Sequence, residues 1–175
     1  SFVGKLNSAK GYDLFGDAIV QILNKHKDWK AVVFGDEHRQ KLKFTHPNMK
    51  IFGFRKHTEI LKYLEKVSIS IICSRWEEPF GRTSLEAASR GCAIIMSNKG
   101  GLPETTNHSI ILKKLSSNEI LNQVNFLINN RTERLSLQKK TYKSFKYTHE
   151  FIANKIDNIR KVFKENISRF IPLKN

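Results

Sequence analysis

The sequence predicts an α/β fold of the Rossmann-like kind, a doubly wound parallel six-stranded sheet with helices on both faces and extra C-terminal helices. Three observations predict it. Short β-rich segments alternate with helical patterns along the chain before Ser117. The third to fifth β-rich segments are almost continuously apolar, as is typical of strands buried on both faces. From Ser117 onward the strand signal disappears and helical patterns continue.

Six short segments rich in β-branched and aromatic residues are the predicted strands. Most of them are followed by Gly, Asn or Pro, which favour turns and loops. In chain order the segments are Phe2–Val3, Ala31–Phe34, Lys50–Phe52, Ile69–Cys73, Ala93–Met96 and Ser109–Leu112. Because helical patterns lie between them, the strands are expected to run parallel.

Helical periodicity occupies the segments between the strands and the end of the chain. Apolar residues recur with helical spacing over Leu14–Leu23 and Ile60–Leu64. A third helix is expected from about Thr83 to Arg90, because Gly91 follows it. Three more helices are predicted beyond these, the middle one strongly basic, at about Asn118–Asn130, Glu133–Tyr147 and Glu150–Ile167.

Length and composition predict one globular domain over residues 1–175. The chain has 175 residues, 39% hydrophobic and 27% charged, which excludes disorder, collagen-like repetition and a disulfide framework. No apolar run approaches the roughly 20 residues that span a bilayer, and the first residues lack a signal peptide's apolar region. We therefore expect a soluble domain. Since the first strand begins at Phe2, the domain is also expected to be cut from a longer protein.

The charge of the chain favours anionic partners. There are 31 Lys and Arg against 16 Asp and Glu, a formal net charge of +15. Phosphates, nucleic acids and lipid surfaces are all attracted by such an excess, although lysines on solvated helix faces explain it equally well. One alternative function is a basic nucleic-acid-binding module, supported by Lys139, Lys140, Lys143 and Lys146. No recognised nucleic-acid-binding motif accompanies these lysines.

The two cysteines are predicted to be buried, reduced thiols. Cys73 and Cys92 each lie in an apolar segment and lack the spacing of metal ligands or of a redox pair. This use of cysteine suits a cytoplasmic location.

Ligands bind outside the carboxyl ends of the strands in an open parallel sheet, so the loops after the strands are the candidate sites. The first such loop, Gly4–Gly11, holds two lysines between two glycines. Two ammonium groups and backbone N–H groups at this place can hold a phosphate or diphosphate. The loop lacks both the GxxxxGKS/T and the GxGxxG motif, so solvated lysines are the alternative interpretation.

The second candidate loop carries two glutamates. Pro79 disfavours a helical conformation for Glu78, which is therefore expected in the loop, whereas Glu86 lies about one turn into the next helix. Backbone N–H groups between them form an anion site at the helix N-terminus: those of Phe80, Gly81, Arg82 and Thr83. Carboxylates on both sides of a phosphate site suit a nucleoside diphosphate sugar. The alternatives are glutamates favoured only by the helix dipole and a glycosidase pair of carboxylates.

A third loop, Ser97–Glu104, contains the pair Gly100 and Gly101. Adjacent glycines permit close backbone approach to a ligand or a turn with positive φ. An ordinary turn explains this loop equally well.

Two segments resemble the C-terminal donor-binding domain of retaining glycosyltransferases with the GT-B fold, specifically glycosyltransferase family 4 (group 1). They are FVGKLNSAKG and SRWEEPFGRTSLEAASRGCAIIMSNKGGLPE, and their spacing agrees as well. The specific signature is Glu78 and Glu86 separated by seven residues, with PFG directly after the first. The resemblance extends from Phe2 to about Asn130.

The resemblance implies roles for individual residues. Glu78 would contact hydroxyls of the donor sugar, and Lys5 and Lys10 would neutralise the leaving diphosphate; these three are the expected catalytic residues. Because the first basic position is more usually Arg in the family, Lys5 would act without a bidentate fork. Glu86 would bind the ribose. The other expected donor-binding residues are Gly4, Phe54, Arg55, Phe80, Gly81, Arg82 and Thr83.

The implied reaction is transfer of a sugar from a nucleoside diphosphate sugar to an acceptor hydroxyl with retention, in cell-surface glycan synthesis. No metal, other cofactor or nucleic-acid partner is expected. The N-terminal acceptor domain would be absent, so the fragment is expected to be inactive alone. In the intact enzyme the basic surface would contact anionic membrane peripherally. A nonhydrolysing epimerase has the same two-domain architecture, but the glutamate spacing fits transferases better.

The resemblance also bears on the last helix. In the family this helix packs on the N-terminal domain, so one apolar face is expected to lack its partner in part. That face comprises Ile156, Ile159, Val162 and Phe163.

Overall fold

The computed structural model describes residues 1–170, with side chains described as far as Asn166. The chain forms two compact units, Ser1–Phe145 and a second unit that begins at Lys146. Strands of the first unit follow the prediction closely and are β1 (Phe2–Val3), β2 (Ala31–Phe34), β3 (Met49–Ile51), β4 (Ile69–Ile72), β5 (Ala93–Met96) and β6 (Ser109–Ile111).

The helices are also close to their predicted positions. Those of the first unit are α1 (Tyr12–Lys25), α2 (His57–Leu64), α3 (Arg82–Ser89), α4 (Ser117–Asn129) and α5 (Arg131–Ser144). The second unit contains α6 (His149–Phe170). Helix α5 was expected to reach Tyr147 but ends at Ser144, because Phe145 adopts an extended backbone and packs against a core cluster.

The six strands are parallel but form two three-stranded sheets, where a single sheet was expected. The orders are β1-β2-β3 and β4-β5-β6. The facing edges are β1 and β4, and their main-chain link runs through Ser1: its carbonyl accepts from Ile71 N at 3.0 Å, and its amine donates to Ile69 O at 2.7 Å. Since β1 has only two residues, it is too short to form a second ladder along β4.

Core residues alternate between the two faces of the sheets, as the strand period of two requires. Ile71 and Ile95 belong to one cluster, which they share with apolar side chains of α1 and α4. Ile72 and Ile94 belong to the other cluster, which contains Leu64 of α2 and two alanines of α3. Helices therefore cover both faces, as predicted for a doubly wound fold.

Both cysteines are free and buried, which confirms the prediction. Burial raises the pKa of the Cys73 thiol to about 12 and that of Cys92 to about 11. Both thiols are therefore protonated at neutral pH.

Helix α6 carries an exposed apolar stripe. Its members are Ile152, Ile156, Ile159, Val162 and Phe163, and Phe163 is 65% exposed. Across the described residues, no helix combines the length and the apolar character that crossing a membrane demands.

Candidate functional site

A pocket of about 420 Å³ lies at the carboxyl ends of β1 and β4. Its volume is within the roughly 300–1,000 Å³ usual for small-molecule sites. Eight of the eleven predicted site residues line it: Gly4, Lys10, Glu78, Phe80, Gly81, Arg82, Thr83 and Glu86. Ser74 and Leu102 also line the pocket and were not predicted.

The loop after β1 places Lys10 in this pocket. A short 3₁₀ turn, Ser8–Lys10, is capped by Asn7, whose Oδ1 accepts from Lys10 N at 3.0 Å. Gly11 ends the turn with φ of 75° and leads directly into α1. A Cβ at Gly11 would lie 2.0 Å from the carbonyl oxygen of Cys73, so only glycine fits here without movement.

The loop after β4 is tied to this lysine loop. The carbonyl of Ala9 accepts hydrogen bonds from Arg75 N at 2.9 Å and Trp76 N at 3.2 Å. The Arg75 guanidinium also donates to both carboxylate oxygens of Asp13, at 2.7 Å each. These hydrogen bonds therefore fix the position of the loop with the predicted lysines relative to the loop with Glu78.

The loop after β2 also forms hydrogen bonds with the lysine loop. Asn7 Nδ2 donates to Glu37 Oε2 at 2.9 Å, and the Gln40 side chain exchanges two hydrogen bonds with Ser8. Hydrogen bonds from the side chain and backbone of Arg39, and then from Asn7, lower the pKa of Glu37 to about 2. Glu37 is therefore ionised at neutral pH.

Glu78 lies in the loop before α3, as predicted. Its Oε1 is 2.5 Å from Lys10 Nζ, and the two side chains are 15% and 32% exposed. Its backbone is also fixed, because its carbonyl accepts from Gly101 N at 2.7 Å. Glu78 and Lys10 thus form an ion pair inside the pocket.

The glycine pair after β5 supports the glutamate loop. Gly100 has φ of 54°, and a Cβ there would lie 2.3 Å from the carbonyl oxygen of Glu78. The neighbouring Glu77 carboxylate accepts from Lys99 Nζ at 2.8 Å and from Gly100 N at 2.6 Å. At this glycine pair, the absence of a Cβ allows the backbone of Gly100 to lie close to the backbone of Glu78.

Glu86 lies in α3 and lines the same pocket as Lys10. Its side chain is 16% exposed, and Oε1 lies 3.1 Å from His57 Nε2 and 3.9 Å from the Arg82 guanidinium. The first turn of α3, at Arg82 and Thr83, lies between the two glutamates along the chain and lines the same pocket. Backbone N–H groups at a helix N-terminus attract anions.

His57 was not predicted from the sequence. It is the first residue of α2, two positions after Arg55 of the predicted base-binding loop. That nearness in sequence was the only available signal. Its distance from Glu86 depends on how α2 and α3 pack.

Three predicted site residues lie outside the pocket. Lys5 is exposed, although it belongs to the lysine loop. Phe54 is 74% exposed. Arg55 donates to the Phe54 carbonyl at 2.9 Å and lies 3.8 Å from a carboxylate oxygen of Glu59.

Comparisons with known proteins agree with this architecture. The C-terminal domain of LpcC, a group 1 glycosyl transferase of Francisella tularensis, has a TM-score of 0.74 at 24% identity, over 84% of this chain and 86% of that one. HepE (Alr3699) of Anabaena, solved in complex with UDP, has a TM-score of 0.70 at 20% identity, over 96% of this chain and 48% of that one. These likenesses show the fold.

The sequence comparisons reach further. Spore coat protein SA of Bacillus subtilis is 28% identical over 155 residues, 79% of this chain and 41% of that protein. The chain therefore spans less than half the length of that relative. The family model described as "Glycosyl transferases group 1" matches residues 1–144. The chain belongs to the group 1 glycosyl transferase family.

Proposed function

We propose that this chain is the donor-binding half of a retaining glycosyltransferase, which moves a sugar from a nucleoside diphosphate sugar to an acceptor hydroxyl. One observation carries the proposal: a single pocket joins Lys10, Glu78 and Glu86 to the N-terminal turn of α3. This set offers positive charge for a diphosphate and carboxylates for the hydroxyls on both sides of it.

Each group would have a distinct task. Lys10 and the backbone N–H groups of Arg82 and Thr83 would hold the diphosphate and stabilise the charge that develops as it leaves. Glu86 would accept hydrogen bonds from the ribose hydroxyls, and Glu78 from those of the sugar. The fold shared with HepE, solved in complex with UDP, supports a nucleotide in this pocket.

The base would lie near the loop that follows β3. Phe54 presents an exposed aromatic ring there, and aromatic rings stack on bases with little preference for their identity. Lys5, exposed on the lysine loop, would add positive charge near the phosphates without filling the pocket.

The wider activity belongs to this proposal too. A second, N-terminal domain would bind the acceptor, so the fragment would not transfer sugar alone. We place the intact enzyme in the cytoplasm, with peripheral membrane contact through its basic surface, in cell-surface glycan synthesis. Metal independence is a prediction from the resemblance; among the described residues there is no group of three or more His, Cys, Asp or Glu able to hold a metal ion.

Calorimetric titration with UDP, GDP and ADP tests the proposal. One nucleotide should bind selectively, and Glu86→Ala should weaken it about tenfold or more, because hydrogen bonds to a charged group contribute about 1.5–3 kcal/mol. Glu133→Ala is the matched control, since this exposed glutamate of α5 does not line the pocket. If no nucleotide binds and an oligonucleotide binds in a salt-sensitive way instead, the chain is a basic nucleic-acid-binding module.

A further inference from the structure

We propose that Glu78 determines which form of the nucleotide the pocket retains, because it competes with the phosphates for Lys10. The pocket would thereby prefer a nucleotide that carries its sugar over the free nucleoside diphosphate. This inference rests on the proposed function and adds a selectivity to it.

The competition follows from the ion pair between Lys10 and Glu78 in the pocket. Lys10 Nζ lies 2.5 Å from Glu78 Oε1, and both side chains are largely withdrawn from solvent. Charge-assisted hydrogen bonds are about twice as strong as neutral ones, and a partly buried pair is screened less than a surface pair. A diphosphate that binds the Lys10 ammonium must therefore displace the Glu78 carboxylate from it.

The fold holds both members of the pair in place. The lysine loop is bonded through Ala9 O to the backbone of Arg75 and Trp76, and the Glu78 carbonyl is bonded to Gly101 N. The backbone on either side of the pair is therefore fixed. When a ligand leaves, the same ion pair should form again.

The lining of the pocket offers the diphosphate few other cations. Among the described residues, the lysine and arginine side chains that line the pocket are Lys10 and Arg82. The Arg82 guanidinium lies 3.9 Å from Glu86, so each of the two cations has a carboxylate near it. Phosphates entering this pocket would compete with a carboxylate whichever cation they approach.

The presence of the sugar decides the outcome. A free nucleoside diphosphate would take Lys10 and leave Glu78 as an unpaired, largely buried anion beside the phosphates, which is unfavourable. A sugar attached to the diphosphate offers hydroxyl donors that occupy the Glu78 carboxylate instead. After transfer those donors depart with the sugar, and the returning Lys10–Glu78 pair would favour release of the nucleoside diphosphate.

The test is a pair of titrations on the 175-residue chain, with UDP, GDP and ADP and with their glucose-bearing forms. Glu78→Gln removes the competitor, so we expect the selected nucleoside diphosphate to bind about tenfold more tightly. The glucose-bearing form should bind more weakly, because the amide is a poorer acceptor. The inference requires the two affinities to change in opposite directions. Unchanged or weaker binding of the free nucleoside diphosphate would overturn it.

A double substitution separates competition for Lys10 from simple repulsion of phosphate. In a Lys10→Gln background there is no ion pair to displace, so Glu78→Gln should tighten binding of the free nucleotide by a clearly smaller factor. An equal gain in both backgrounds would mean that Glu78 only repels phosphate and would overturn the proposal.

Two further variants guard the interpretation. Glu65→Gln breaks another glutamate ion pair, with Arg90 at 3.5 Å, outside the pocket, and should leave the ratio of the two affinities unchanged. Glu78→Ser also removes the carboxylate, and it replaces Glu78→Gln if the introduced amide disturbs the loop. It should again tighten binding of the free nucleoside diphosphate and weaken binding of the glucose-bearing form. Binding to the Glu78→Gln chain alone would support the inference, whereas no binding to any variant would overturn the proposed function with it.

Discussion

Lys10 and Lys5 belong to one loop but differ in their place relative to the pocket. Lys10 lines it, whereas Lys5 is exposed outside it. We expect Lys10→Gln to weaken nucleoside diphosphate binding about tenfold, since a charge-assisted contact is lost. Lys5→Gln should weaken it no more than about fivefold, the range of an exposed charge. Calorimetry on both variants checks this; a larger effect at Lys5 would show that the loop rearranges when the nucleotide binds.

The two thiols provide a test of burial at single residues. Cys73 and Cys92 are both fully buried, and burial raises the pKa of each thiol well above neutrality. Because the thiolate is the reactive form, neither should react with Ellman's reagent in the folded chain at pH 7.5. Both should react at once in denaturant. Rapid reaction of the native chain would contradict the packing described for β4 and β5.

The positions of residues could be predicted where they depend on neighbouring sequence. Glu78 and Glu86 are linked by a short loop and one helical turn, so their spacing alone places both at one helix N-terminus. His57 lies 29 positions before Glu86, and nothing in its own segment indicates that it comes within 3.1 Å of that carboxylate. The Lys10–Glu78 ion pair escaped prediction for the same reason: sequence brought both residues to one pocket but not into contact.

At the scale of elements, the turn that orients Lys10 depends on Gly11. Its left-handed conformation costs other residues about 1–2 kcal/mol, and a Cβ there would meet the Cys73 carbonyl. Gly11→Ala should lower the free energy of unfolding by at least about 2 kcal/mol in urea titrations. Gly53→Ala is the control, because Gly53 has φ of +68° with no atom within 4 Å of an added Cβ. If the two substitutions lowered the free energy of unfolding equally, the contact of the added Cβ with the Cys73 carbonyl would contribute nothing to the loss of stability at Gly11.

Glu37, in the loop after β2, should make the free energy of unfolding depend on pH. The pKa of Glu37 is lowered from 4.5 to about 2 by bonds from Arg39 and Asn7. A lowered folded-state pKa adds stability above the unfolded-state value, and this contribution is lost as pH falls from about 4.5 toward 2. Glu37→Gln should therefore be less stable than the natural chain at pH 6, and the difference should shrink as pH falls. Urea titrations between pH 3 and 6 measure it; a constant difference would contradict the assigned bonds.

Elements were predicted well because their signals are strong and local. The continuous apolar runs at Ile69–Ile72 and Ala93–Met96 became strands buried at every position. The end of α5 was missed because Phe145 leaves the helix to pack in a core, which is a tertiary preference. The division of the strands into two sheets depends on the short length of β1, where pattern reasoning has only two residues to use.

On the scale of the whole molecule, the described core clusters lie within the first unit, residues 1–145. A chain of residues 1–145 should therefore unfold cooperatively, with a free energy within about 1 kcal/mol of that of the 175-residue chain. It should also bind the selected nucleotide with an unchanged affinity. Denaturant titration and calorimetry of the two lengths check this; loss of cooperative unfolding would assign the second unit a part in the core.

The whole-molecule properties were the least predictable from sequence. The charge of +15 is consistent with phosphate, nucleic acid or membrane as a partner. The resemblance carried by the glutamate signature favoured a nucleoside diphosphate sugar, whereas composition favoured none of the three. The resemblance implied that the apolar face of α6 would lack its partner in part, and the structure shows this face exposed. A local pattern identifies such a face but carries no information about what binds to it.

The interlocked backbones around the pocket bear on attempts to build chimeric transferases. The loops after β1, β4 and β5 meet at Ala9, Glu78 and Gly101 through main-chain hydrogen bonds. Gly11 and Gly100 each lie so close to a neighbouring carbonyl oxygen that a larger residue requires the backbone to shift. Exchanging one loop for that of a relative would therefore misfit the other two. Under the proposed function, a change of donor preference by loop exchange should therefore require all three segments to be grafted together.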